Sequence, residues 1–223
     1  MLCVQPEIPT TDTPTTVPVL NVCDLSFGWP DIPLFSHLDL QLLPGVSVVH
    51  GDESCGKTTL LRLLAGELPP AQGSLVLRGI SLATQPEVYR ALVFRTEPRS
   101  DALDASTART WFSTLAARHP SFDTGTALRL AGGFALDPHI DKPMYMLSAG
   151  SRRKVWLSAA FAAGATLTLI DEPFAALDMS SIRFLRSLLE EASQHTDRAW
   201  LLADHVPPEG LELKTRLRLG ADL

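Results

Sequence analysis

The sequence predicts an α/β protein with a largely parallel sheet and a phosphate-binding loop. The apolar, β-branched stretch "VSVVH", Val46 to His50, is typical of a buried parallel strand, and a glycine-containing loop and a leucine-rich helix follow it. Between Leu20 and Gly79 the chain alternates short strands and turns. After Leu147, helical segments alternate with apolar strands, which is the order that builds a parallel sheet.

The loop after the first buried strand fits a pattern that binds phosphates. Its residues follow G-x-x-x-x-G-K-[ST], in which glycines let backbone N–H groups converge on phosphate and the lysine adds a positive charge. Strand, loop and helix occur in the order that this pattern requires. The predicted binding residues of this segment are Gly51, Asp52, Glu53, Ser54, Cys55, Gly56, Lys57, Thr58 and Thr59.

Composition limits the class of protein. The 223 residues are 45% hydrophobic and 20% charged, which is enough for a substantial core. The formal net charge of -6 disfavours a protein that holds nucleic acid through a basic face, so we expect no nucleic-acid partner. A local loop can still bind a small anion.

The three cysteines, Cys3, Cys23 and Cys55, are an odd number without metal-site spacing, which favours a reducing compartment. Cys55 differs from the other two because it lies in the phosphate loop near a helix N-terminus, and we expect its alkylation to block nucleotide binding. The N-terminus has the features of neither a signal peptide nor a membrane span, and the apolar run Val155 to Ile170 is short for a bilayer. A membrane role would therefore need another chain.

The predicted organisation is a Pro- and Thr-rich disordered tail at 1–18 and one domain at 19–223. Within that domain the segment at about 98–146 changes to helical patterns with Pro and Gly breaks. We interpret it as an inserted helical subdomain.

A pair of carboxylates further along the chain complements the phosphate loop. The stretch "LTLIDEP" is an apolar strand that ends in Asp171 and Glu172. Asp171 suits the coordination of Mg²⁺ together with Thr58, and Glu172 suits a general base that takes a proton from water. Taken alone, the Asp-Glu pair is equally typical of a helix start.

Further motifs identify a family. "LSAGS", Leu147 to Ser151, resembles the signature "LSGGQ" of ABC transporter ATP-binding subunits, and it precedes Asp171 as in that family. "AALD", Ala175 to Asp178, is similar to the D-loop, and "ADH", Ala203 to His205, to the switch histidine. The resemblance covers about Val19 to Gly220. It implies a P-loop NTPase core of ABC type, with an antiparallel β subdomain and the inserted helical subdomain.

The resemblance also assigns roles. Ser148 and Gly150 begin a helix whose N-terminus favours an anion, and in the family that anion is the γ-phosphate of the other protomer's nucleotide. Asp178 lies in the D-loop, His205 is placed to contact the γ-phosphate and assist catalysis, and Trp29 is placed to stack on adenine. Phe27 is the alternative ring.

Four positions depart from the family pattern, and one of them is Ser151, which stands where the signature ends in glutamine. Glu97 aligns with the glutamine that contacts Mg²⁺ and senses the γ-phosphate, with Thr96 as the alternative. A carboxylate keeps an oxygen ligand but loses the amide donor. Glu53 and Ser54 stand where small residues and glycine are common. These departures favour slow hydrolysis.

The resemblance implies an ATP-binding and ATP-hydrolysing subunit that uses Mg²⁺, pairs as a homodimer or heterodimer and drives separate transmembrane permease subunits. It would be cytoplasmic and peripheral on the inner face of the cell membrane. The stretch "LFSHLDL" and the compact chain are most similar to the haem-exporter ATPases of cytochrome c maturation. The alternative is a soluble or regulatory ABC-type nucleotide-binding module with weak or no hydrolysis.

Overall fold

The computed structural model describes residues 17–29 and 32–220, so residues 1–16 of the predicted tail lie outside the described residues. The strands are β1 (Leu20–Trp29), β2 (Ile32–Leu42), β3 (Gly45–His50), β4 (Gln72–Leu77), β5 (Ile80–Ser81), β6 (Val93–Arg95), β7 (Leu167–Asp171), β8 (Ala199–Asp204) and β9 (Arg216–Arg218). The helices are α1 (Lys57–Leu64), α2 (Pro86–Ala91), α3 (Ala108–Arg118), α4 (Thr124–Gly133), α5 (Ala149–Ala162) and α6 (Met179–Ser193).

A parallel sheet with the strand order β6-β7-β8-β3-β9 forms the centre of the molecule. Its three central strands are apolar and almost entirely buried, as expected for a parallel sheet covered on both faces. In the register, His50 pairs with Asp204 and Asp171 with Ala203. The carboxyl ends of β3, β7 and β8 therefore meet at one edge, where open α/β sheets bind ligands.

A second sheet, with the order β2-β1-β4-β5, is antiparallel throughout. Its hairpin partners Phe27 and Phe35 lie near the end where Trp29 closes β1. The Cβ of an added side chain at Gly56 would lie 3.0 Å from Phe35, so this sheet packs directly against the loop before α1. The two sheets together confirm the predicted α/β fold class with its antiparallel component.

The helical segment between β6 and β7 packs on the parallel sheet through aromatic side chains. Trp111 of α3 lies 4.4 Å, ring centre to ring centre, from Trp156 of α5, and Phe94 of β6 contacts the same Trp156. All three rings are buried, and burial of an aromatic side chain stabilises the fold by about 1.5–3 kcal/mol. This cluster fixes α5, and therefore its N-terminus, relative to the sheet.

Candidate functional site

Lys57 closes the loop between β3 and α1; the residue is only 7% exposed, and its ammonium group lies among main-chain oxygens. Its Nζ donates to the carbonyl oxygens of Gly51 at 2.7 Å and Asp52 at 2.6 Å and lies 3.8 Å from Cys55 Sγ. Gly51 admits no side chain, because an added Cβ would lie 2.5 Å from the carbonyl oxygen of Leu219. The sequence thus builds a tight loop around one positive charge.

Ser54 adopts a left-handed backbone conformation in this loop, with φ of 61°. Glycine adopts this conformation without steric cost, whereas a residue with a Cβ is strained there. The neighbouring Glu53 is exposed and lines the same cleft. Glu53 and Ser54, two of the departures from the family pattern, therefore lie at the mouth of the site.

The first residues of α1 contact the end of β7. Thr58 Oγ1 donates to Asp171 Oδ2 at 2.7 Å, and the N–H of Asp171 donates to Thr96 Oγ1 at 3.3 Å. Thr96 is buried and fixes the end of β7. A hydroxyl and a carboxylate oxygen at hydrogen-bond distance are the donor types that Mg²⁺ prefers.

Glu172, which follows β7, has a positive φ of 46° and donates its N–H to the carbonyl oxygen of Ala203. Its side chain lies between two guanidinium groups that sequence reasoning did not assign to the site. Arg99 Nη2 donates to Glu172 Oε2 at 2.5 Å, and Arg153 Nη2 lies 3.7 Å from the same oxygen. Arg153 is buried and donates through Nη1 to the carbonyl oxygen of Ala175.

A cleft of about 570 Å³, here called the main cleft, brings many of the predicted residues together. Its lining consists of Trp29, Leu34, Glu53, Ser54, Gly56, Lys57, Thr58, Thr59, Arg99, Asp171, Glu172 and His205.

At one end of the main cleft, Trp29 is 52% exposed and packs edge-to-face against Phe27, with ring centres 5.4 Å apart. Phe27 supports Trp29 and is absent from the described residues that line the cleft. A half-exposed ring with a fixed orientation can stack on a planar ligand.

His205 lies at the same cleft, after β8, and donates its backbone N–H to Asp204 Oδ1 at 2.7 Å. Burial raises the pKa of the Asp204 carboxyl above its usual value. At the end of the neighbouring β3, burial together with Arg218, Arg216 and Lys57 lowers the pKa of His50. Both strand ends therefore favour neutral side chains beside the loop.

A smaller cleft of about 280 Å³, the side cleft, adjoins the main one and shares Thr58, Arg99, Asp171 and Glu172 with it. Glu97 lines only this side cleft, and its carboxylate is ion-paired with Arg95 Nη2. Arg95 is in turn fixed by Glu67, with Nε–Oε1 and Nη2–Oε2 distances of 2.7 Å. The residue aligned with the family glutamine is therefore held by a neighbouring arginine.

Ser148 and Gly150 lie at the N-terminus of α5, outside the described lining of both clefts. Ser148 Oγ caps the helix by accepting the N–H of Ser151 at 3.1 Å. Gly150 lies against the loop before α6, because an added Cβ would be 2.3 Å from the carbonyl oxygen of Ala176. The N-terminus of α5 is therefore not part of the described lining that the chain's own Lys57 loop shares with Glu172.

Asp178 also lies outside the two clefts and serves as the N-cap of α6. Its carboxylate accepts the N–H of Ser181 at 2.9 Å and pairs with Lys154 Nζ of α5 at 2.6 Å. Lys154, Ser180 and Ser181 hold the pKa of Asp178 well below its usual range. This pair links the N-terminal part of α5 to the start of α6.

Within residues 17–29 and 32–220 no group of three or more His, Cys, Asp or Glu side chains is placed to hold a metal. A cation at Thr58 and Asp171 would therefore need further oxygen ligands from phosphates and water. None of the helices in that same part of the chain has the length and hydropathy of a bilayer span.

The chain was compared with known proteins. The model of the ABC transporter family matches residues 35–175. The chain is 31% identical to the taurine import ATP-binding protein TauB of Yersinia pestis bv. Antiqua (strain Antiqua), over 90% of this chain and 79% of the relative. It is 32% identical to the cytochrome c biogenesis ATP-binding export protein CcmA 1 of Cupriavidus metallidurans, over 92% of this chain and 100% of the relative.

Solved structures show the same fold. An ABC transporter ATP-binding protein from Pyrococcus furiosus superposes with a TM-score of 0.74 at 20% identity, covering 90% of this chain and 96% of that one. A second ABC transporter ATP-binding subunit gives a TM-score of 0.73 at 24% identity, covering 84% of this chain and 80% of that one.

Proposed function

Because the chain belongs to the ABC transporter family, as an ATP-binding subunit that hydrolyses ATP, we propose that it binds Mg-ATP in the main cleft. We further propose that two such subunits close head-to-tail on two nucleotides. The observation that carries the site assignment is the convergence of Lys57, Thr58, Asp171 and Glu172 on one cleft from two distant stretches of the chain. The relatives include an importer and an exporter protein, so ATP use is the property that they share.

Nucleotide binding rests on three groups in this proposal. Lys57 Nζ and the loop N–H groups hold the β- and γ-phosphates, since a buried ammonium and convergent donors are matched to an anion. Trp29, supported by Phe27, stacks on the adenine. Gly51 and Gly56 keep the backbone close enough for these contacts.

Thr58 and Asp171 are the residues that would hold Mg²⁺, because their oxygens already lie 2.7 Å apart at the cleft. When bound there, the ion would offset phosphate charge and align the triphosphate. Thr96 supports this role indirectly, since its Oγ1 accepts the N–H of Asp171.

Glu172 acts as the general base. Its carboxylate takes a proton from a water molecule whose oxygen attacks the γ-phosphorus. The bond from that phosphorus to the β,γ-bridging oxygen breaks, and ADP leaves with the electron pair of this bond while inorganic phosphate forms. His205 contacts the γ-phosphate, since it lines the same cleft as Glu172.

The second protomer completes the site through Ser148 and Gly150. The N-terminus of α5 carries a partial positive charge and lies outside the chain's own clefts, so it is available to the γ-phosphate bound by a partner. Asp178 lies beside it, joined to α5 through Lys154. The partner is a second copy or a related subunit.

The subunit works with separate membrane subunits, as the ATP-binding subunits of this family do. We place it in the cytoplasm, peripheral on the inner face of the membrane through those subunits. The alternative, a nucleotide-binding module with weak or no hydrolysis, is favoured by one observation: the side chain of Glu172 is paired with Arg99 and Glu97 with Arg95.

Nucleotide-driven association tests the paired arrangement. Light scattering on Glu172→Gln with ATP and Mg²⁺ should give a mass twice that of the nucleotide-free protein, because binding persists without turnover. Adding Ser148→Arg should keep the protein monomeric, because a large side chain blocks the α5 N-terminus. The matched variant Ser113→Arg, on the exposed surface of α3, should still dimerise. A monomer with saturating ATP in Glu172→Gln would contradict head-to-tail closure.

A further inference from the structure

Glu97 is poorly placed to sense the terminal phosphate of a nucleotide. Its carboxylate is engaged by Arg95 Nη2, and the Arg95 side chain is only 7% exposed and is also bonded by Glu67 through Nε and Nη2. A carboxylate offers no N–H donor, and its negative charge opposes that of a phosphate. The function that a glutamine amide supplies in the family therefore needs another residue in this chain.

Arg99, two residues further along, has the required position and chemistry. Among the described residues that line the main cleft it is the one arginine, and it also lines the side cleft. Its side chain is 79% exposed, so it can move without disrupting packing. Its one hydrogen bond within the described residues is the 2.5 Å bond from Nη2 to Glu172, which leaves most of its five N–H donors available.

The contacts of Glu172 allow an exchange of partners. Arg153 Nη2 lies 3.7 Å from the same Glu172 oxygen and is held in place by the carbonyl oxygen of Ala175. Arg153 is buried, so the bond to Ala175 anchors its guanidinium even though its Nε has no hydrogen-bond partner among the described residues. If Arg99 leaves Glu172, the carboxylate keeps one cationic neighbour that fixes its orientation.

We infer that Arg99 is the γ-phosphate sensor of this chain. In the structure Arg99 pairs with Glu172; when a triphosphate binds, its guanidinium moves to the γ-phosphate oxygens and releases the carboxylate to receive the proton of water. Guanidinium groups bind phosphate oxygens through two parallel hydrogen bonds, and in other phosphoryl-transfer enzymes an arginine supplied in cis stabilises the charge on the transferring phosphate. This inference rests on the proposed function of the main cleft.

The test compares binding of a triphosphate and a diphosphate. The affinities of a non-hydrolysable ATP analogue and of ADP, each with Mg²⁺, are measured by calorimetry for wild type, Arg99→Ala and Arg99→Lys. Arg99→Ala should bind the analogue at least about 10-fold more weakly, the effect of losing a charged hydrogen bond, with ADP affinity within about 2-fold of wild type. The affinity of Arg99→Lys for the analogue should lie between those of wild type and Arg99→Ala, because lysine keeps the positive charge and lacks the planar guanidinium.

The control is Arg183→Ala, which removes the same charge from the exposed face of α6 and should change neither affinity. A thermal melt of each variant verifies folding. Unchanged analogue affinity in Arg99→Ala, or an equal loss for analogue and ADP, would overturn the inference. Failure of the proposed function would look different, because the wild-type protein itself would then bind neither nucleotide.

Discussion

Thr58 and Asp171 are separated by 113 positions in the chain, and a hydrogen bond of 2.7 Å from Thr58 Oγ1 to Asp171 Oδ2 joins them. The bond connects the first turn of α1 to the carboxyl end of β7. It also brings the hydroxyl and carboxylate oxygens that we propose as Mg²⁺ ligands beside the loop that Lys57 closes. This bond therefore joins the loop before α1 to Asp171, the residue that directly precedes the proposed base Glu172.

Removing the Thr58 hydroxyl should weaken the binding of the Mg²⁺ that ATP turnover requires. In Thr58→Ala, the Mg²⁺ concentration for half-maximal ATP turnover should rise by about 10-fold or more, since one oxygen ligand is lost. A Mg²⁺ titration of phosphate release measures this. Thr114→Ala, an exposed position on α3, is the matched control; an unchanged midpoint in Thr58→Ala would exclude the hydroxyl as a ligand.

Ser54 should be replaceable by glycine with a gain in stability. Its φ of 61° is a conformation that strains a residue with a Cβ, so Ser54→Gly should raise the free energy of unfolding by about 1 kcal/mol. Urea unfolding measures the change. Ser187→Gly, in the exposed part of α6, should lower stability by about 0.5–1 kcal/mol instead. Equal losses in both variants would contradict strain at Ser54.

Gly150 should not tolerate even alanine. The added Cβ would lie 2.3 Å from the carbonyl oxygen of Ala176, so Gly150→Ala must displace α5 from the loop before α6, at about 1–3 kcal/mol. The control is Gly132→Ala in α4, where the Cβ meets Asp137 at an ordinary 3.5 Å and helix propensity improves. Thermal melts should separate the two variants; similar melting temperatures would argue against the close contact.

Asp204 should make stability depend on pH. Burial raises the pKa of its carboxyl above the unfolded value, so its contribution to stability is present at pH below the unfolded pKa and is lost as pH rises through the folded pKa. Asp204→Asn stays neutral and can still accept the N–H of His205. Its stability relative to wild type should increase from pH 4 to pH 7, as measured by urea unfolding; a difference independent of pH would refute this assignment.

The fold class was predictable because its signals are local. The apolar, β-branched run "VSVVH" predicted β3, the apolar run "LTLID" predicted β7, and the spacing of glycines and Lys57 predicted the loop between β3 and α1. Asp178, which the sequence analysis placed in the D-loop, is in addition the N-cap of α6 in the structure. Strands and loops of this kind depend mainly on residues that are close together in the chain, so the sequence alone is enough to predict them.

The arginine contacts were not predictable in the same way. Arg99 and Glu172 are 73 positions apart. Tertiary packing brings them together, and no rule of sequence spacing predicts such a pair. The Arg95–Glu97 pair did have a local signal, because residues two apart lie on the same side of an extended chain. The roles assigned to the cleft residues stay predictions until they are measured.

Phosphate release from the purified protein with Mg-ATP, over a range of protein concentrations, tests the central claim most directly. Wild type should turn over faster per molecule as concentration rises, because the active form is a pair. Glu172→Gln should bind ATP yet lose at least about 100-fold in rate, since the base is removed, and Lys57→Ala should lose binding itself. Hydrolysis by Glu172→Gln at the wild-type rate would contradict the account.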